Sequence, residues 1–361
     1  MSLDGGTVAP HELLVGAPLS RGQDVPHLVA NEEVLAVSVE MRQFLDASVH
    51  RKASSQVKLK ELIDAIINDG DFGFEFEGET RTASETFRLR RGNCLSFSNM
   101  FVALARYVGL EARYQEVVIP PDWAFQNDFF LLNRHVNVSV DLGPSGQHVV
   151  DLNIDDFRTS YDTRTISDTQ SLAHYYNNMG VEHMQAGDVA TALGYFRRAL
   201  AENDRRFSPA WTNLGTLYLR TDHPEYAEAA YLQALKSDEE DFVAMSNLVN
   251  FYESRGDAER AAEFRRRVAR HRKQNPYFRF QRAREAYLEK DYDTAINHLK
   301  YAIRKKRNED QFCFLLGMSY LQKGNQRKAR HWLGRAEAVA ASDAVKRRYS
   351  SKMDLLLLAS D

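Results

Sequence analysis

Residues 211–218 read Trp-Thr-Asn-Leu-Gly-Thr-Leu-Tyr, and the small residue inside this stretch returns at a steady interval along the chain. The steps between equivalent positions are 35, 34, 34 and 34 residues, and the positions are Gly180, Gly215, Val249, Ala283 and Gly317. An alanine follows 12 residues after each of them, and another alanine or a valine follows 7 residues later. Small residues let paired helices cross closely, so this period predicts five stacked pairs of antiparallel helices.

The stretch Trp211–Tyr218 also matches the W-x₂-L-G-x₂-Y signature of one repeat family, and Leu316–Tyr320 matches most of it. The C-terminal half therefore resembles the tetratricopeptide repeats, with five repeats over residues 171–342. The resemblance implies an all-α superhelix whose concave face docks a protein or peptide partner. Four candidate groove residues could hydrogen-bond an extended peptide, or could simply be solvated: Asn177, Thr212, Asn213 and Asn250.

Residues 343–361 follow the last repeat and are predicted to form a capping helix. Leu355 to Leu358 are four consecutive leucines, which is too apolar for a free tail. They either seal the last repeat or offer a contact to a second copy of the chain.

The N-terminal half holds a second informative stretch, Arg91-Gly-Asn-Cys94. After this turn, apolar residues recur at helical spacing up to Tyr107, and Gly109 has the character of a residue just past a helix end. The pattern predicts a helix that begins at Cys94. A thiol reacts as its thiolate, which the N-terminus of a helix and a neighbouring imidazolium both favour.

Two β-like segments follow, and each contains a residue that suits catalysis. His135, Asn137 and Ser139 alternate with valines, so they are predicted to share one face of a strand. Residues 143–146 read Gly-Pro-Ser-Gly, which predicts a hairpin turn. An odd-numbered loop would bring Asp151 to the face of His135, where a carboxylate fixes the tautomer of an imidazole.

The stretch from Thr82 to Cys94, with residues 104–113 after it, resembles the nucleophile region of the transglutaminase-like superfamily. The resemblance covers roughly residues 35–165 and implies an α+β, papain-like domain, placed here at 35–170. Carried over by position, it makes Cys94 the nucleophile, His135 the base and Asp151 the orienting carboxylate. Members of the superfamily include crosslinking enzymes, peptidases, deglycosylating amidases and proteins that have lost activity.

The remaining segments of the N-terminal half have weaker signals. Trp123 and Asn137 are candidates for the wall of a substrate cleft, although the loop around Trp123 could instead simply pack on the sheet. Residues 1–34 contain three prolines and little periodicity, which predicts an extended arm. Helices are predicted at 33–48 and 56–69.

Composition narrows the class of protein. The net charge is −3, with an acidic front (15 Lys and Arg against 25 Asp and Glu in residues 1–172) and a basic back. The basic runs lack interleaved aromatic residues, so nucleic acid is not the expected partner.

Paired Cys/His spacings and glycine-rich phosphate loops do not occur, so we expect no metal and no cofactor. Cys94 and Cys313 are the two cysteines, and Cys313 is expected in a helical core.

No apolar run reaches 18 residues and the first residues lack the pattern of a signal peptide. We therefore expect a soluble protein that is cytoplasmic, or periplasmic if an export signal has been removed. The leading hypothesis is a cysteine-dependent acyl-transfer enzyme, either a peptidase or amidase or a transamidase, whose repeats dock the substrate. The alternative is a non-catalytic scaffold in which a degenerate transglutaminase-like domain supports the repeats.

Overall fold

A computed structural model of the protein describes residues 8–19, 27–68, 72–118, 134–151, 163–340 and 346. Helices in the N-terminal part are α1 (Pro10–Val15), α2 (Asn31–Val34), α3 (Val39–Ser48), α4 (Ser55–Ile63), α5 (Ala83–Leu89) and α6 (Cys94–Tyr107). Strands are β1 (Glu75–Phe76), β2 (Arg91–Gly92), β3 (Glu111–Val118), β4 (Arg134–Asp141), β5 (Gln147–Val150) and β6 (Thr163–Ile166). The remaining helices are α7 (Asp168–Gln185), α8 (Val189–Ala201), α9 (Ser208–Arg220), α10 (Pro224–Ser237), α11 (Phe242–Ser254), α12 (Ala258–Gln274), α13 (Pro276–Leu288), α14 (Tyr292–Lys305), α15 (Asp310–Gln322) and α16 (Gln326–Val339).

The N-terminal arm is less extended than its prolines suggested. Pro10 occupies the first turn of α1, where its missing N–H has no helical partner, so the residue starts a helix instead of preventing one. The arm packs on helices of the repeat region. The Tyr218 hydroxyl donates to the carbonyl of Leu13 at 2.6 Å, and the Tyr176 hydroxyl donates to the carbonyl of Val29 at 3.0 Å.

The helix predicted at 33–48 is wrong in one respect, because the structure divides it into α2 and α3. Ser38 lies between them in extended backbone, and its side chain accepts a hydrogen bond from the N–H of Met41. A serine in this position begins a new helix. The helix predicted at 56–69 is α4, which continues as a π-helical turn over Asp64–Asn68.

A four-stranded antiparallel sheet forms the β layer, in the order β5-β4-β3-β6. The five residues 142–146 connect β4 to β5, and Asp141 pairs with Gln147. This odd loop length, together with the pairing of Val138 with Val150, brings Asp151 opposite Asn137 on the face that carries His135.

Helix α6 packs on the sheet and is buried on nearly all sides. Eleven of its 14 residues are buried. The Tyr114 hydroxyl on β3 donates to the amide oxygen of Asn99 at 2.8 Å, and Ser98 donates to the backbone carbonyl of Val136 at 2.9 Å. These bonds engage the amide oxygen of Asn99 and the hydroxyl of Ser98, two of the polar groups that the helix buries. Gly109 follows the helix with φ of 83°, as predicted for a residue just past its end.

Four pairs of consecutive helices pack together, α7 with α8, α9 with α10, α13 with α14 and α15 with α16, and the periodic glycines lie where the two helices of a pair cross. A Cβ atom at Gly180 would lie 2.5 Å from the Phe196 ring, and one at Gly215 would lie 2.7 Å from the Tyr231 ring. The bulky residue of the second helix thus fills the space that a side chain on the first would need. The C-terminal region is therefore a tetratricopeptide-like helical array, and the N-terminal domain is built of strands and helices.

The chain divides into two compact units, and the division falls inside α12, between Phe264 and Arg265. The first unit holds the sheet, α1 to α11 and the start of α12. The second unit has its own core on α13 to α16, in which Cys313 is fully buried, as predicted. The domain limits proposed at residues 34, 170 and 342 stay predictions. Among the residues described, no helix combines the length and apolar character that crossing a membrane requires.

Two glycines of the second unit give a matched test of close helix crossing. A Cβ at Gly317 on α15 would lie 2.7 Å from Leu333 Cγ, whereas one at Gly334 on α16 meets nothing within 4 Å. We expect Gly317→Ala to lower the free energy of unfolding by about 1–3 kcal/mol, because the core is overpacked. Gly334→Ala should raise it by about 0.5–1 kcal/mol through helix propensity. Hydrogen exchange of peptides from α15 and α16 measures both changes in the free energy of unfolding. Equal changes for the two substitutions would contradict this explanation.

Candidate active site

Helix α6 begins at Cys94 because the preceding residue caps it. The Asn93 side chain accepts a hydrogen bond from the N–H of Ser96 at 2.9 Å, which is the bond of an N-terminal cap. Cys94 is consequently the first helical residue, and its own N–H belongs to the turn that no helix carbonyl reaches. The thiol is half-buried, and it stands at the positive end of the helix dipole.

The segment before α5 holds this cap in place. The Asn93 amide donates to the Thr80 hydroxyl at 2.8 Å, and the Ser96 hydroxyl accepts from the N–H of Arg81 at 2.9 Å. Gly92 lies under the same turn, and a Cβ there would be 2.6 Å from the Cβ of Ser96. The Arg91-Gly92-Asn93 turn therefore needs a glycine at its second position.

His135 and Asp151 form a short, buried hydrogen bond. Nε2 of His135 lies 2.6 Å from Oδ2 of Asp151, whose side chain is 3% exposed. Asn137 supports the same carboxylate, because its amide donates to Oδ2 at 2.9 Å. The carboxylate thereby fixes the orientation of the imidazole, and Nδ1 is the ring nitrogen that Asp151 does not engage.

Cys94 completes the arrangement, because its thiol is near enough to His135 to help raise the pKa of the imidazole. Burial lowers the pKa of His135, but its hydrogen bonds to Asp151 and Cys94 and the charges of both groups outweigh burial and raise the pKa to about 10. The imidazole is therefore protonated at neutral pH. The site brings together a thiol, an imidazolium and a carboxylate at one end of α6.

Sequence reasoning did not identify the residues that hold this arrangement. Asn93 could have been predicted as the N-cap, because an asparagine just before a helical run is typical of that position. Asn137, predicted for the cleft wall, is 1% exposed and bonds Asp151. Its place in a cleft stays a prediction. Trp123 lies outside the described residues.

The groove residues predicted on the repeats differ in their surroundings. Asn213 donates to the amide oxygen of Asn177 at 2.9 Å, so the two residues bridge α7 and α9. Thr212 is 2% exposed and donates to Asp241, so its hydroxyl is already used inside the protein. Asn250 is exposed on α11. Their part in binding a peptide stays a prediction.

Protein-family models match both the N-terminal and the C-terminal half of the chain. The model of the transglutaminase-like superfamily matches residues 42–150, which include Cys94 and His135 and end one residue before Asp151. The tetratricopeptide repeat model matches residues 177–230 and 212–276.

Individual relatives are distant. Anaphase-promoting complex subunit 3 of Schizosaccharomyces pombe is 26% identical over 159 residues, which are 44% of this chain and 24% of that protein. The chain thus spans about a quarter of the length of this curated relative.

Similar solved structures lie in the repeat class. MamA is 17% identical, with a TM-score of 0.26, and the match covers 46% of this chain and 91% of that one. YrrB, described as a TPR protein with an unusual peptide-binding site, is 17% identical, with a TM-score of 0.26, covering 50% of this chain and 92% of that one. By its family matches and its own fold, the chain combines a transglutaminase-like core with tetratricopeptide repeats.

Proposed function

We propose that the protein is a cysteine-dependent acyl-transfer enzyme that acts on a peptide or amide bond. One observation carries the proposal: His135 is hydrogen bonded to the Asp151 carboxylate, and the Cys94 thiol is near enough to help raise the pKa of the same imidazole. A core histidine that only fills space does not need a buried carboxylate and a thiol at once. The combination supports a nucleophile, a general acid and base, and an orienting residue in Cys94, His135 and Asp151.

The first half of the reaction follows from the charges at the site. The Cys94 sulfur attacks the carbonyl carbon of the substrate and forms a tetrahedral intermediate. Nδ1 of His135 then gives its proton to the departing amine, the carbon–nitrogen bond breaks and a thioester remains. The negative oxygen of the intermediate would be stabilised by the N–H of Cys94, which points out of the first turn of α6.

The second half releases the acyl group. His135, now neutral, removes a proton from the acceptor, which attacks the thioester carbonyl and restores the Cys94 thiolate. Water as acceptor gives a peptidase or amidase, and an amine gives a transamidase. Both use the same residues, so the choice depends on which acceptor reaches the thioester.

The repeats are proposed to dock a protein or peptide partner, as helical repeat arrays commonly do. The amides of Asn177 and Asn213 lie on neighbouring first helices of two repeats and bond each other, which leaves further hydrogen-bonding capacity on each amide. Exposed Asn250 on α11 extends the same series of helices. A docked segment would thus contact the array while another part of the same partner occupies the site at Cys94.

Alkylation of Cys94 by iodoacetamide tests the proposal without knowledge of the substrate. We expect the native protein to react readily at pH 6, because His135 beside Cys94 supports a role of this cysteine as the nucleophile. His135→Ala should slow this reaction at pH 6 by about tenfold or more, and the two proteins should converge in alkaline solution where any thiol ionises.

Cys94→Ser is the matched control, since Cys313 is fully buried and should not react in the native state. Mass spectrometry of the labelled peptide follows the rate. A rate that rises with pH as for an ordinary thiol, and that His135→Ala leaves unchanged, would favour the non-catalytic scaffold instead.

The raised pKa of His135 also predicts a dependence of stability on pH. Because the pKa is about 10 in the folded chain against an ordinary 6.5, protonation favours the folded state. The stabilisation is complete below about pH 6.5 and is lost as pH rises toward about 10. His135→Gln keeps a donor for Asp151 but does not titrate.

We therefore expect the difference in free energy of unfolding between the native protein and His135→Gln to shrink steadily between pH 6.5 and 10. Urea unfolding at several pH values measures it, and titrating groups remote from the site cancel because both proteins have them. A difference that stays constant over this range would show that the imidazolium is not the stabilised form.

A further inference from the structure

Helix α7, the first helix of the repeats, is hydrogen bonded to the C-terminal end of α6 and to the segment that holds the N-terminal cap of α6. At its start, Asp168 accepts two hydrogen bonds from the Arg106 guanidinium, at 2.6 and 2.8 Å. Near its end, Glu182 accepts a hydrogen bond from the backbone N–H of Thr80 at 2.8 Å. Arg106 lies at the C-terminal end of α6, and Thr80 holds the cap at the N-terminal end.

The lengths of the two helices match between these contacts. Asp168 and Glu182 are 14 residues apart, which is about 21 Å along a helix and nearly four turns, so both lie on about the same face of α7. Asn93 and Arg106 are 13 residues apart, which is about 20 Å. The start of α7 meets the end of α6 and the end of α7 meets the segment that caps the start of α6, so the two helices run in opposite senses.

Glu182 reaches Cys94 through three hydrogen bonds. Its carboxylate accepts from the Thr80 N–H, the Thr80 hydroxyl accepts from the Asn93 amide, and the Asn93 oxygen accepts from the Ser96 N–H. Thr80 is 5% exposed, so water cannot readily replace these partners. Each bond constrains the next, and the last one decides where α6 begins.

The Thr80 segment depends on this outside partner. Residues 77–82 lie between β1 and α5, and several of their N–H groups have acceptors in the core: Glu77 donates to the carbonyl of Gly92 at 3.0 Å and Arg81 to the Ser96 hydroxyl at 2.9 Å. A buried backbone N–H requires an acceptor, and for Thr80 that acceptor comes from the repeats. The position of the cap at Asn93 is thereby tied to the repeat helix and not to the core alone.

We infer that Glu182 is a positioning residue for Cys94, so that the first repeat helix is part of the machinery of the site. The inference rests on the proposed function, because it assigns Glu182 a role in the reactivity of the thiol. Glu182 touches neither Cys94 nor His135 in this role. It acts by holding Thr80, which holds Asn93, which holds the first turn of α6.

Three variants of the full chain test the inference. Glu182→Ala removes the acceptor for the Thr80 N–H, whereas Glu182→Gln keeps an oxygen acceptor of similar shape. Asp168→Ala removes the contact of α7 with Arg106, at the far end of α6. It is the matched control, because it weakens the packing of the same helix without touching the Thr80 segment.

The first measurement is the rate of Cys94 alkylation by iodoacetamide as a function of pH. We expect Glu182→Ala to slow alkylation at pH 6 by about tenfold, approaching the effect of losing the imidazolium contact. Glu182→Gln should restore a rate near that of the native protein. Asp168→Ala should keep the native pH profile.

The second measurement is hydrogen exchange of the peptide that spans residues 92–98. Glu182→Ala should speed its exchange, whereas Glu182→Gln and Asp168→Ala should not. If Glu182→Ala changes neither alkylation nor exchange, or if Asp168→Ala has the same effects, Glu182 is not a positioning residue. If the native thiol lacks reactivity that depends on His135, the proposed function fails. Exchange then still decides whether Glu182 holds the start of α6.

Discussion

The bond between the Asn93 side chain and the Ser96 N–H decides where α6 begins, and the rest of the site depends on it. A helix that started one residue later would place Cys94 at the N-cap, where the backbone is extended, and would redirect its side chain. Gly92 leaves room for Ser96 under the turn, and Thr80 orients the capping amide. A local bond of modest energy thus controls the geometry of a site whose other members lie on a separate sheet.

The charges at the site depend on one another in the same way. Asp151 is nearly inaccessible to water, and an ionised carboxylate in that position requires partners. His135 and Asn137 supply them through the same oxygen. The carboxylate in turn keeps the imidazole protonated despite its burial, and the imidazolium faces the Cys94 thiol. Removing one member therefore leaves the next without its counter-charge, so single substitutions should have large and non-additive effects.

Patterns that are local or periodic could be interpreted from the sequence, and contacts across the chain could not. Alternation on β4 and an odd loop were enough to predict that Asp151 shares the face of His135, and the 34-residue period was enough to predict the helix pairs. The break at Ser38 was missed because hydrophobic periodicity continues through it. The bond from Glu182 to Thr80 joins residues 102 apart and leaves no spacing rule to detect. Local and periodic sequence patterns predict single helices and strands. The hydrogen bonds that support the site join residues from different helices and strands, and these patterns do not reveal them.

Helix α7 shows how two sets of constraints can act on one element. Gly180 must stay small because Phe196 of α8 packs against it, and Glu182, two residues on, must reach the core. Residues two apart are separated by about 200° around a helix. The contact with Phe196 and the contact with Thr80 therefore lie on nearly opposite faces of α7. The face toward α8 carries Gly180, the small residue of the repeat pattern. The opposite face carries Glu182, which contacts the Thr80 segment. A repeat helix in this position links the proposed docking surface to the proposed catalytic site, because a displacement of α7 would move the Thr80 segment and, through it, Cys94.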